Sequence, residues 1–198
     1  VEQHIHNLDV ANWFIGATPV SAQGMGGREV RKGPDHGQIF DHHFVEFIYP
    51  DGQVIASQCR HQKGCMNRVE EVFQGSRGNV HVHSGNYGLI TSRWGREIYN
   101  HQGENDINPY QQEHNEIFAA IKAGEYKYND VETGAHSTMT AILGRMATYS
   151  GQVITWDEAM STDHKLVPEL HSFNDTAPVL PDENGNYPVP VPGETRFI

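Results

Sequence analysis

Glu2, His4, His6, Asp9 and Trp13 open the chain with the residue types and spacing of a proton-transfer site. Wound as a helix, Glu2, His6, Asp9 and Trp13 fall at i, i+4, i+7 and i+11, which is one face. A carboxylate one turn before a histidine orients the imidazole and raises its basicity, as a general base requires. Trp13 at the far end of that face offers a flat apolar surface on which a sugar ring could stack, or it closes the core beside the helix. The same spacing also fits a half-buried helix whose histidines and acids are satisfied locally. Ile5, Leu8, Ala11, Asn12 and Ile15 form the neighbouring, mostly apolar stripe, and Gly16 provides the stop.

The elements that must position this helix follow in order. Pro19 to Arg31 reads as an extended segment, loosened in its middle by Gly24, Gly26 and Gly27, and Lys32 to Gly37 as a turn. A hairpin comes next: Ile39 to Tyr49, a turn at Pro50-Asp51-Gly52, and Gln53 to Arg60 running back. Bulky residues on both faces of Ile39 to Tyr49 require cover on both sides. Shorter strands are expected at Arg68 to Gln74, Asn79 to His83 and Tyr87 to Ser92. Asn108 with Pro109 starts a helix whose apolar face includes His114, Ile117, Phe118 and Ile121. A second helix spans about Val131 to Ser150, with Ala135, Met139, Ile142, Leu143 and Met146 expected inward. Thr155 and Glu158 make a capping box for a third. Prolines then cluster from Pro168 to Pro192 with no period, which implies an extended arm. The order helix, strands, helices predicts an α+β domain with one antiparallel or mixed sheet. The expected division is a domain at 1–167 and a Pro-rich tail at 168–198.

Composition narrows the partners. The 198 residues fit one domain, and 14 basic against 25 acidic residues give a net charge of -11. A mean hydropathy of -0.59 points to long polar loops or a tail. This balance argues against nucleic acid as a partner, and no apolar run approaches the ~20 residues that span a bilayer. Cys59 and Cys65, with five residues between them, are expected to be reduced and structural. Thirteen histidines, with H-x-H pairs at His4/His6 and His81/His83 and further rings at His42, His43 and His61, raise a metal site as rival chemistry. Neither pair is followed by an acid at a diagnostic spacing, so no metal ligands are assigned; His81 and His83 read as the solvent face of a strand. Arg60 and His61, at the end of the hairpin, and His114 are further substrate-binding candidates.

Glu2-x-His4-x-His6-x-x-Asp9 with Ala11, Trp13 and Gly16 resembles the start of the C-terminal domain in the Gfo/Idh/MocA family of oxidoreductases. The usual pattern there is Asp-x-Gly-x-His-x-x-Asp followed by an apolar helix ending in Gly. Met25 to Arg31, Phe40 to Cys65, Asn108 to His114 and Thr140 to Gly151 are similar to a bacterial branch of that family. The resemblance implies an open-faced, mixed, mostly antiparallel sheet with helices packed on one face, the other face being used for homo-oligomer contacts. It implies His6 as catalytic base with Glu2 as its orienting acid; His4, Asp9, Trp13, Arg60, His61 and His114 are the expected substrate contacts. Glu for Asp at position 2 and His for Gly at position 4 depart from the pattern. NAD or NADP is the implied cofactor, held by an N-terminal Rossmann domain. No strand–GxGxxG–helix unit occurs in this sequence, so the chain is expected to be the second domain alone, inactive without the first. The implied substrate is a sugar, cyclitol or related polyol, and the compartment is a bacterial cytoplasm or periplasm. The alternatives are an NAD-dependent glycosidase of the same superfamily, a non-catalytic binding or assembly module, and a His-based metal enzyme.

Overall fold

The computed structural model describes Val1, residues 3–165 and residues 169–197. After helix α1 (Ile5–Ile15), strand β1 (Ser21–Gly27) leads through a short 3-10 turn at Pro34–His36 to β2 (His42–Ile48) and β3 (Val54–Arg60). Four strands follow, β4 (Glu70–Gln74), β5 (Gly78–His83), β6 (Tyr87–Ser92) and β7 (Glu97–His101). Helices α2 (Pro109–Ala123) and α3 (Val131–Ser150), the two-residue strand β8 (Ile154–Thr155) and helix α4 (Trp156–Ser161) complete the elements. The class is α+β, as expected. The strands divide into two antiparallel sheets, however, in the orders β3-β2-β1-β8 and β4-β5-β6-β7.

The first sheet carries the core. Val45 and Phe47 on β2, and Tyr49 just past its end, are at most 5% exposed. They meet Leu143, Met146 and Ala147 of α3, and burying each large side chain contributes about 1.5–3 kcal/mol. The helix can lie this close because position 144 is glycine: a Cβ there would fall 2.7 Å from Phe47 Cζ. α3 lies under α1 as well as against β1 and β2. Being covered on two sides, it buries Ser137, Thr140 and Thr148 as well as its apolar residues, while Ala135, expected inward, is exposed. The opposite face of this sheet is open, with Met25 72%, Val54 54% and Phe44 36% exposed.

The sequence signals for caps and turns operate as read. Asn108 Oδ1 accepts from the N–H groups of Tyr110 and Gln111, and Thr155 and Glu158 form the reciprocal capping box. Gly52, at φ 82°, closes the β2–β3 hairpin. α2 departs from expectation: Tyr110, Ile117, Phe118 and Ile121 are exposed, and Ala120 is the helix's buried residue. The second sheet is thin, with no buried residue between Ser57 and Ala120. Its attachment is through α1, where Phe14 stacks on Phe73 with centroids 3.9 Å apart.

Residues 169–197 contain no helix or strand, as the prolines require. They form a strap across the first sheet's core: Gly193 N–H donates to Ser150 O, Thr162 Oγ1 donates to Phe197 O, and Phe197 packs beside Tyr149. The expected boundary at 167/168 falls on residues outside the described ones.

Candidate active site

α1 is held from its inner side by polar contacts. The Tyr49 hydroxyl donates to Asn12 Oδ1 at 2.7 Å, and Asn12 Nδ2 donates to Thr140 Oγ1 at 3.0 Å. Burial pushes the Tyr49 phenol up to about 12, so it remains a donor. Asp9 accepts from Ser137 Oγ on α3, and Asn7 Nδ2 donates to Glu71 on β4. At the helix start His4 Nε2 lies 2.6 Å from Ser57 Oγ on β3. Each contact fixes the rotation of α1, so what its outer side presents is set.

That outer side presents His6 and Trp13. His6 is exposed and Trp13 is 83% exposed, so Trp13 does not close the core. Asp9, expected beside them, is half-buried and turned toward α3. Its place at the edge of the helical face lets the Ser137 hydroxyl claim it. Glu2, the expected orienting acid, lies outside the described residues.

A cleft of about 1200 Å³ opens between α1 and the facing edges of β3 and β4. His4, His42, His43, Cys59, Arg60 and Glu71 stand in its wall. Burial, and to a lesser extent the chain's amino group, depresses His4 below the ordinary histidine value. Burial likewise drives His43 down to about 4. His43 Nδ1 is 2.9 Å from Thr148 Oγ1, and its ring lies beside Phe40 and Tyr149. Both rings are therefore neutral near pH 7 and able to give or take one hydrogen bond. Burial also pushes the Cys59 thiol up, which makes it a poor nucleophile.

Arg60 lines this cleft, and His61 follows it in the chain without lining the cleft. Arg60 pairs in register with His42 at the end of the first sheet, and His61 Nδ1 is 2.6 Å from a terminal nitrogen of Arg31. His114 does not join them. It sits on exposed α2 with Nδ1 2.6 Å from Tyr110 O, because α2 leaves the body of the domain instead of packing on it. His81 meets Glu70 at 2.9 Å and His83 is exposed, so the two rings do not converge. Among the described residues no three His, Cys, Asp or Glu side chains are placed to hold a metal ion.

Sequence reasoning gave Asp41 and Arg31 no role and counted His43 only among the histidines of a rival metal site. His43 had a readable signal, since it shares strand parity with the inward Val45, Phe47 and Tyr49. Asp41 had none: its role comes from a loop that folds back over it.

No family model and no curated protein matches the chain. Solved structures do. The aldose-aldose oxidoreductase from Caulobacter crescentus, complexed with glycerol, matches with a TM-score of 0.61 at 15% identity, over 76% of this chain and 45% of that one. The myo-inositol 2-dehydrogenase from Lactobacillus plantarum gives 0.59 at 21% identity, over 78% and 47%. A levoglucosan dehydrogenase complexed with NADH and levoglucosan gives 0.57 at 12% identity, over 78% and 49%. The chain thus spans about half the length of the proteins it matches. The chain has the fold of a part of these oxidoreductases, in agreement with the expected fold of a Gfo/Idh/MocA C-terminal domain.

Proposed function

We propose that this chain is the substrate-binding and assembly domain of an NAD(P)-dependent oxidoreductase that acts on a sugar, cyclitol or related polyol. The observation that carries this reading is the outer face of α1. Its inner side is locked by Asn12, Tyr49 and Ser137, so His6 and Trp13 are presented together and open, on a fold shared with sugar and polyol oxidoreductases. A second, cofactor-carrying domain seated against that face completes the site. The glycine-rich stretch of this chain does not fit a dinucleotide: Gly24, Gly26 and Gly27 belong to β1, which pairs with β2 along its whole length and opens no helix.

The chain's own work is to hold the polyol and move its proton. His6 takes the hydroxyl proton as general base, and Glu2, four residues earlier in the sequence, is the acid proposed to orient it. Trp13 supplies a flat apolar wall for the carbon face of the ring. His4 faces the cleft on the other side of α1, where it is bonded to Ser57 and helps to hold the helix that presents His6.

In the full-length protein, His6→Ala should lower turnover by roughly 10²–10⁴-fold with the melting temperature nearly unchanged. Glu2→Gln should cost less, because the ring stays in place. Full turnover in His6→Ala would remove the catalytic assignment, and loss of activity that follows loss of folded protein would make His6 a structural residue.

A further inference from the structure

At the rim beside the cleft, Asp41 is 3% exposed and its carboxylate is fully engaged. Oδ2 accepts the N–H groups of Glu29, Val30 and Arg31 at 2.8, 2.6 and 3.0 Å, and Oδ1 lies 2.8 Å from His42 Nδ1. The carbonyl of Asp41 accepts His61 N–H at 2.8 Å. One buried residue therefore fixes the backbone at both Arg31 and His61, and the two side chains meet in front of it at 2.6 Å.

That contact has a chemical consequence. Arg31 has only donors, so His61 Nδ1 must accept, and the proton of neutral His61 sits on Nε2. The pair presents guanidinium N–H groups and one imidazole N–H, with no acceptor of its own left over. Arg60 adjoins His61, and His42 stands opposite Arg60 in register, its Nδ1 already engaged by Asp41. Among the described residues no carboxylate lies within 4 Å of the Arg31 or Arg60 guanidinium, in a chain of net charge -11. The nearby acids Glu29 and Asp35 are exposed and pair with neither. Fixed donors without acceptors, beside a cleft, fit an anion.

We infer that Arg31, His61 and Arg60 form a binding site for a carboxylate or phosphate group, and that this group is carried by the substrate, which is then an acidic or phosphorylated sugar. The site itself stands on the geometry; its assignment to the substrate rests on the oxidoreductase reading above. Asp41 is the positioning residue, because it acts through the backbone of Arg31 and His61.

The test is histidine ¹⁵N NMR on this chain at constant ionic strength in chloride, with the His61 signals assigned from the His61→Gln spectrum. D-glucuronate, D-glucose 6-phosphate, inorganic phosphate and D-glucose are titrated in turn. One or both sugar anions should shift His61 and bind more tightly than inorganic phosphate, the tighter naming the group, and D-glucose should leave His61 unmoved. Arg31→Gln, at a half-buried residue, and Arg60→Gln, at an exposed one, should each weaken binding about tenfold with the circular dichroism of the fold retained. Sugar anions that bind no better than D-glucose, or undiminished binding in Arg31→Gln, would overturn the site. Inorganic phosphate binding as tightly as the tighter of the two sugar anions would overturn its assignment to the substrate. No turnover is read, so a full-length protein active on neutral polyols with a silent His61 would refute this inference alone. An inactive protein that still binds the sugar anions would refute the oxidoreductase reading, and with it the assignment to a substrate, while the anion site stands.

Discussion

His43 should make the fold acid-sensitive in a window set by one side chain. Its ring is enclosed by Phe40, Tyr149 and Thr148, and burial lowers it from 6.5 to about 4. The native state therefore takes up this proton less readily than the unfolded chain. Above pH 6.5 neither form is charged and the group contributes no pH dependence. As pH falls below 6.5 the unfolded chain is protonated first, so stability drops, and the loss is complete near pH 4. The full loss is about 3 kcal/mol, and about 2 kcal/mol of it is reached by pH 5. A 198-residue domain has about 5–15 kcal/mol in all, so the effect is measurable. Urea unfolding at pH 7.5 and pH 5, on the native chain and on His43→Asn, isolates it. Asparagine keeps a donor near the Nδ1 position toward Thr148 and removes the titration. The fall in stability between the two pH values should shrink by about 2 kcal/mol in the variant. His4, lowered in the same direction by its own burial, should supply part of the dependence that remains. An unchanged pH dependence in His43→Asn, or a His43 NMR titration centred near 6.5, would refute the reasoning.

The open face of the first sheet should drive self-association: light scattering at high concentration should show an oligomer, and Phe44→Lys should return a monomer if Met25, Phe44 and Val54 form the contact. Tyr49→Phe removes the donor to Asn12 Oδ1 and should cost about 1–2 kcal/mol by urea unfolding, with the helix and strand signals of circular dichroism retained. Phe73→Ala removes the stack on Phe14 and should loosen the β4–β7 sheet by about 1 kcal/mol, seen as faster amide exchange there before any change in the rest of the domain.

Local chemistry was readable wherever a residue acts on its own neighbours. Asn108, Thr155 with Glu158, Gly52, Gly16 and Gly151 all mark ends and turns that the structure keeps. Helix α3 was found at its full length. What the sequence did not disclose depends on which element lies against which. Ser137, Thr140 and Thr148 look like the polar side of a helix, and are buried because α1 and the sheet cover α3 from two directions. His114 looks inward by periodicity, yet among the described residues no element packs substantially on α2. β8, two residues long, pairs with β1 at a distance along the chain that no local signal spans. In the candidate site, His6 and Trp13 were legible as one face of a helix. Asp41 was not, because its three amide donors come from a loop whose path only the tertiary fold defines.

The two sheets differ in how far along the chain they must reach. In the second, β4 to β7 each pair with the next strand, so every contact closes a short loop and forms early. The first cannot be finished that way: β1 waits for β8, and the cluster that includes Leu8 and Phe47 waits for Phe197. The early-forming sheet has no buried residue of its own, so it gains lasting order only when Phe73 finds Phe14 on α1. Folding therefore has a fast part that cannot hold itself and a slow part that holds both. α1, which joins them and carries His6, reaches its final setting only when the slow part is done.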